Sequence, residues 1–429
     1  MPPPRQGVND ANHPPPVIRK ISINQLQPGM FVSGQRQSWL DQVLRRPGFL
    51  ITETAQIDRL LERGLQEVSI DTERGLDLPE NLLLTAEDTL SRTNRAQLRP
   101  IPRPIPRLHP RHIRPQVSLG EERRRASRLL REGTQMLDDL MLSAQVGKRV
   151  DAARLEGVVS KMYESVVRNP DALVPLARLK GMDSYASEHA LASAALIIAL
   201  GRQQGVPAPE LEKMALGTML KDIGHSAIDR KLMGKRGQFS EAEYTLVQSH
   251  VEEGLAVLEA TSSLPETTVA VVLEHHERYN GAGYPYRMAG DEISLAGRLA
   301  AIVDTYDAMT SDRPYRAALS PTQALRELYE QGGAQFDPTL VAGLVKTLGV
   351  YPVGTLVLLE SGHLGVVEQL NYEQVFKPVV NVIYHTARRQ YVTPVSVDLT
   401  RKVGNHYGQI VRAESFERWG LSPVRWLPA

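Results

Sequence analysis

The chain has 429 residues, 42% of them hydrophobic, with 50 Lys and Arg against 49 Asp and Glu, enough for more than one domain and with no global pull toward nucleic acid. It contains no cysteine, which excludes disulfides and thiolate metal sites, so any transition metal must be held by imidazole and carboxylate. The N-terminal MPPPRQGVNDANHPPP lacks the apolar core of a secretory signal, and no stretch approaches the ~18 consecutive apolar residues of a membrane span, so a cytoplasmic protein is expected.

Residues 1–16 are polar and proline-rich, with almost nothing to bury, and are expected to be disordered. Over 17–76, IRKISINQLQPGMFV and LQEVSI read as short strands flanking a helix-like TAQIDRLLERG that ends at Gly64, a small α/β or α+β domain. Over 77–118, RPIPRPIPRLHPRHIRP spaces its prolines too closely for helix or central strand and predicts an extended linker. Its arginines could attract an anionic partner, but a solvated spacer is the favoured account of them.

From 119 to 348 the reading is helical. Apolar residues recur at three and four spacing in ASRLLREGTQMLDDLML, ARLEGVVSKMYESVV and EHALASAALIIALGRQ, each bounded by Gly, Pro or Asp. From 349 to 429, TLVLLESGHLGVVEQL and PVVNVIYHTARRQYV are β-branched runs broken by a Ser-Gly turn and predict hairpins, a β-rich appendix. No repeat of fixed period is present, which removes solenoids and propellers. The chain is therefore multidomain and mainly α.

Five of the eleven histidines, His189, His225, His250, His275 and His276, fall in or beside predicted helices of one stretch. A lone helical histidine is ordinarily a core or surface residue; five together with Asp222 and Asp304 make a ligand set for divalent Fe, Mn, Ni or Zn. On a helix, His275 and His276 would point roughly 100° apart and serve two neighbouring ions rather than one. Two such ions, ~3.5–4 Å apart, suit hydrolysis of a phosphate ester.

The stretch HHERYNGAGYP, His275 to Pro285, resembles the signature HHExxDGxGYP of the HD-GYP family, a branch of the HD metal-dependent phosphohydrolases that hydrolyse the bacterial messenger cyclic di-GMP. VDTYDAMTSDRPYR, Val303 to Arg316, resembles the second block of that family, and FDP at 336–338 is a further echo. Residues 17–76, through LQPGMFV, resemble a small domain of undefined role often fused ahead of it. The resemblance implies an HD-type helical bundle with metal ligands at His189, Asp222, His250, His275, His276 and Asp304. It also implies dinucleotide contacts from Tyr284, Arg313 and Arg316, and hydrolysis to linear pGpG or GMP. The guanidiniums can fork onto phosphate oxygens, although exposed helix-end ion pairs would use the same residues. Gly281 and Gly283 read as shape-giving residues of a turn with positive φ. A GGDEF-type diguanylate cyclase docked on the GYP loop, and a homodimer, are partners compatible with the family.

One departure concerns the chemistry itself. The family's HDIGK is Lys221-Asp222-Ile223-Gly224-His225 here, so His and Lys have changed places. At an effective dielectric near 20, an ammonium ~4 Å from a dication is repelled by about 8 kcal/mol, so a protonated Lys221 cannot act as the missing ligand. Three arrangements follow. Lys221 replaces one ion by a salt bridge, leaving one ion or none; or His225 reaches the ion, with the backbone breaking at Gly224; or water completes the shell and Lys221 swings out. The first is the degenerate form, a protein that binds cyclic di-GMP or docks a cyclase; the other two keep a phosphodiesterase with Lys221, Asp222 and His225 in its catalytic group. Asn280 stands where the family has Asp. Tyr185 stands where some members have a Glu for a third ion, which argues against a trinuclear site.

Overall fold

The computed structural model describes residues 18–22, 25–33, 49–52, 67–71, 115–177, 185–235, 237–260, 264–311, 318–401 and 406–422, with a few isolated positions besides. The expected N-terminal tail and most of the linker lie outside them, as do most of the helix expected before Gly64 and both Arg313 and Arg316. The chain divides into two compact units, 1–99 and 100–429.

In the first unit, β1 (Ile18–Ser22), β2 (Phe31–Ser33), β3 (Phe49–Leu50) and β4 (Glu67–Asp71) form an antiparallel sheet of order β1-β4-β2-β3. Alternation along the strands turns Ile21, Val32, Val68 and Ile70 to one side, where they close on Leu26, Met30 and Ile51. Gly29, at φ 96°, makes the turn inside LQPGMFV that an L side chain would resist.

The second unit begins with α1 (Leu119–Gln145), capped by the Ser118 hydroxyl, which accepts from the Glu121 N–H. Then follow α2 (Glu156–Arg168), α3 (Pro170–Ala177), α4 (Tyr185–Gln203), α5 (Ala208–Leu220) and the short α6 (Arg230–Met233). The bundle continues with α7 (Glu241–Gln248), α8 (His250–Glu259), α9 (Glu266–Glu274), α10 (Leu295–Met309), α11 (Pro321–Glu330) and α12 (Pro338–Leu348). Helix α4 is buried nearly all round, from Ala190 to Gly201, and packs against α5 and α10, so it is the central post of the bundle. The FDP triplet is structural: Phe336 is buried, and Asp337 caps α12 by accepting from the Thr339 and Leu340 N–H groups.

The appendix is a five-stranded antiparallel sheet, β5 (Leu356–Leu359), β6 (His363–Gln369), β7 (Val379–His385), β8 (Gln390–Asp398) and β9 (Ile410–Glu414), in order β8-β7-β6-β5-β9. Gly362, at φ 75°, makes the predicted Ser-Gly turn between β5 and β6. The sheet is tied to the bundle by partly buried polar contacts. The Asp171 carboxylate of α3 accepts from the Tyr372 hydroxyl at 2.7 Å and the Leu370 N–H at 3.3 Å, and Arg123 of α1 donates to the Glu368 carbonyl at 3.2 Å.

Candidate metal centre

The histidines come from different places in the bundle: His189 from within α4, His250 from the start of α8, and His275 and His276 from just past the end of α9. Helix α9 finishes at Glu274, so His275 and His276 lie in a turn and not on a helix face. That corrects the expectation that they point to different ions: their rings are 4.1 Å apart, and both join Asp222 and His250 in one group whose donor atoms lie within 4.8 Å of one another. His250 is the first residue of α8, and Asp222 follows the end of α5. A second group, His189 of α4, Asp222 and Asp304 of α10, shares the same carboxylate. All six residues expected as ligands are therefore brought together.

Asp222 faces both ways. Its Oδ1 lies 3.8 Å from His250 Nε2 and from His275 Nε2, and its Oδ2 meets the Lys221 ammonium. Lys221 does not swing out: only 1% exposed, it places Nζ 2.7 Å from Asp304 Oδ1 and 3.2 Å from His189 Nε2. Asp307, one turn beyond Asp304, holds the other edge of the His189 ring, with Nδ1 to Oδ2 at 2.5 Å. That orienting role was missed in the sequence, although the three-residue spacing from Asp304 signals a shared helix face.

Charge follows from this packing. Burial pushes the Asp222 and Asp304 carboxyls upward, but the Lys221 ammonium overrides it and holds both well below the usual carboxylate range. Burial alone would lower Lys221, yet Asp222 and Asp304 raise it, so it stays an ammonium. Burial lowers His275 to about 3 and presses His250 and His276 down as well, so these rings keep free lone pairs at neutral pH, the form in which imidazole binds a cation.

His225 does not replace the missing ligand of the second group. It lies on a short 3-10 turn, Ile223–Ala227, with its ring stacked 4.1 Å from His250, and belongs to neither group. Its Nε2 is 3.7 Å from Asp222 Oδ1, and its buried Nδ1 finds no hydrogen-bond partner among the described residues.

Tyr284 roofs the four-residue group, its ring stacked 4.6 Å from His276 and edge-on to His250 and Tyr244. Burial raises its phenol, which stays protonated. The loop carrying it is pinned by Glu277, whose buried carboxylate accepts from the Tyr286 N–H at 2.7 Å and the Met288 N–H at 3.0 Å, a second role missed in the sequence. Gly281 has the expected positive φ of 77°, whereas Gly283 is glycine for another reason: a Cβ there would collide with the backbone of Glu277 and Arg278. Asn280 is exposed, and its side-chain oxygen accepts from the Ala282 N–H, a turn contact that needs no charge.

The donor set fits one divalent first-row ion well, with three neutral imidazoles and a carboxylate oxygen in the four-residue group. An HD domain profile matches residues 166–340, and a domain of unknown function (DUF3391) matches residues 18–155. The chain is 36% identical over 406 residues to "Cyclic di-GMP phosphodiesterase PA4108" of Pseudomonas aeruginosa, covering 94% of each chain. It is 32% identical over 148 residues to "3'3'-cGAMP-specific phosphodiesterase 2" of Vibrio cholerae, covering 34% of this chain and 28% of that protein. Among solved structures, Bd1817 from Bdellovibrio bacteriovorus, described as an HDG"Y"P protein, aligns with TM-score 0.44 and 14% identity over 76% of this chain and 98% of its own. No helix of the described residues is long and apolar enough to cross a membrane.

Proposed function

The chain belongs to the HD-GYP family of HD-domain phosphohydrolases, and from that membership we propose that it is a bacterial cyclic di-GMP phosphodiesterase working with a divalent ion held by Asp222, His250, His275 and His276. The single observation that carries the reading is that these four donors converge beneath Tyr284. Cyclic di-GMP is preferred over a mixed dinucleotide because the relative named for it matches along nearly the whole chain.

When bound, a divalent ion supplies Lewis-acid polarisation of the phosphoryl oxygen and lowers the pKa of water. The chain does the rest. Tyr284 offers an aromatic face to a guanine, and its hydroxyl a neutral donor to a phosphate oxygen. Lys221 offsets the charge of Asp222 and Asp304, so a phosphate approaching the centre meets less repulsion. Arg313 and Arg316 would clamp the flanking phosphate. Water oxygen joins phosphorus, the P–O3′ bond breaks, and the 3′ oxygen leaves with a proton as linear pGpG forms. A cytoplasmic location suits that substrate, and a GGDEF-type cyclase on the GYP loop and a homodimer remain the partners the family suggests.

A second reading, ligand binding without turnover, is favoured by Lys221 standing in a ligand's place. Incubation of Mn-loaded protein with cyclic di-GMP, followed by chromatography, separates the two: linear product appears under the first, whereas unchanged substrate with tight calorimetric binding supports the second.

A further inference from the structure

Two carboxylates and an imidazole that would surround a second ion in a two-metal centre surround an ammonium instead. We infer that the Lys221 side chain is a built-in replacement for that ion, so that the protein holds one divalent ion per chain beside one fixed organic cation. The inference rests on the four-residue group being a metal site and deepens that reading.

An ammonium has three N–H donors, and three electronegative atoms face this one: Asp222 Oδ2, Asp304 Oδ1 at 2.7 Å and His189 Nε2 at 3.2 Å. The two ligand atoms Asp304 Oδ1 and His189 Nε2 are 2.9 Å apart, close to the ~3 Å between neighbouring vertices of an octahedron with bonds of ~2.1 Å. The three donor atoms lie within 4.8 Å of one another, and Nζ is in contact with all of them. A divalent ion bonding the same three atoms would have to share its volume with the nitrogen.

Escape is closed as well. Lys221 is 1% exposed, and withdrawing Nζ would take from Asp222 Oδ2 the ammonium it meets and leave Asp304 Oδ1 with His189 Nε2 alone. The second cation therefore cannot be exchanged, chelated away or offered to substrate. Asp222 keeps the bridging role of a two-metal carboxylate, with Oδ1 toward the imidazoles and Oδ2 toward the ammonium.

The test is metal content. Wild type, K221H and K221A are saturated with Mn, freed of excess by gel filtration, checked for folding by circular dichroism and analysed for Mn per chain. Electron paramagnetic resonance then reports whether any two ions are coupled. One ion and an uncoupled spectrum are expected for wild type, and two ions with a coupled spectrum for K221H. K221A, which empties the cage without adding a ligand, should exceed one ion and guards against a histidine variant that misfolds. Two ions in wild type overturn the inference and leave the phosphodiesterase reading intact. One ion in all three proteins also overturns it, because something other than the ammonium would then close the cage. No ion in any of them defeats the metal site itself, and the inference with it.

Discussion

Gly224 lies so close to the start of α8 that a Cβ on it would stand inside the van der Waals shell of the His250 backbone carbonyl, with the Gly254 amide beyond. The turn carrying Asp222 is thereby pressed onto the helix that presents His250, and two donors of one group are fixed relative to each other.

Gly224→Ala forces that contact apart. Overpacking of this kind costs about 1–3 kcal/mol, and because backbone must move, the upper end is expected. Metal affinity should fall about 10–100-fold, as when a ligand's supporting contacts are lost. Thermal denaturation and Mn titration check the two effects.

Glu277→Gln keeps the shape of the loop clamp but removes its charge and one of the acceptors used by Tyr286 and Met288. Leaving a buried donor unmet costs about 1–3 kcal/mol. Since Tyr284 rides on the same loop, KM for cyclic di-GMP should rise about tenfold, equivalent to ~1.4 kcal/mol, with Mn content unchanged. A loss of bound Mn would place Glu277 in the metal centre instead.

Asp171 gives the junction of bundle and sheet a dependence on pH. Burial raises its carboxyl from 3.8 to about 6, against the opposing hydrogen bonds from Tyr372 and Leu370. Between these two values the folded chain binds the proton more tightly than the unfolded chain, so stability falls as pH rises, by about 3 kcal/mol in all. Asp171→Asn keeps an acceptor for Tyr372 but turns an NH2 toward the Leu370 N–H, so its Tm should change little between pH 4.5 and 7.5 while that of wild type falls. An Asn variant whose Tm falls over that range as steeply as that of wild type would mean that another group carries the pH dependence.

The sequence made the candidate donor types legible because chemistry restricts them: without cysteine, histidines and aspartates of one helical stretch were the available set, and four of the five histidines join the two groups while His225 stays outside them. The β5–β6 turn and three of the four strands of the N-terminal sheet were equally legible, through Gly362 and the alternation of Ile21, Val32, Val68 and Ile70, whereas the two-residue β3 was not. What periodicity could not convey was where helices end. The 100° separation assigned to His275 and His276 assumed a helix that stops at Glu274. Nor could it decide the fate of Lys221, because a swap of His and Lys reads the same whether the ammonium points outward or inward. Only packing, with Asp222, Asp304 and His189 closing round Nζ, turns it inward. Asp307 and Glu277 were visible as letters of the two blocks, but their roles depend on partners 118 and 9–11 residues away.

The most direct measurement is anomalous scattering from crystals soaked in Mn. A single peak is expected within bonding distance of Asp222 Oδ1, His250, His275 and His276, with Lys221 Nζ still between Asp222, Asp304 and His189. A second peak inside that cage, or none at the histidines, would contradict that expectation.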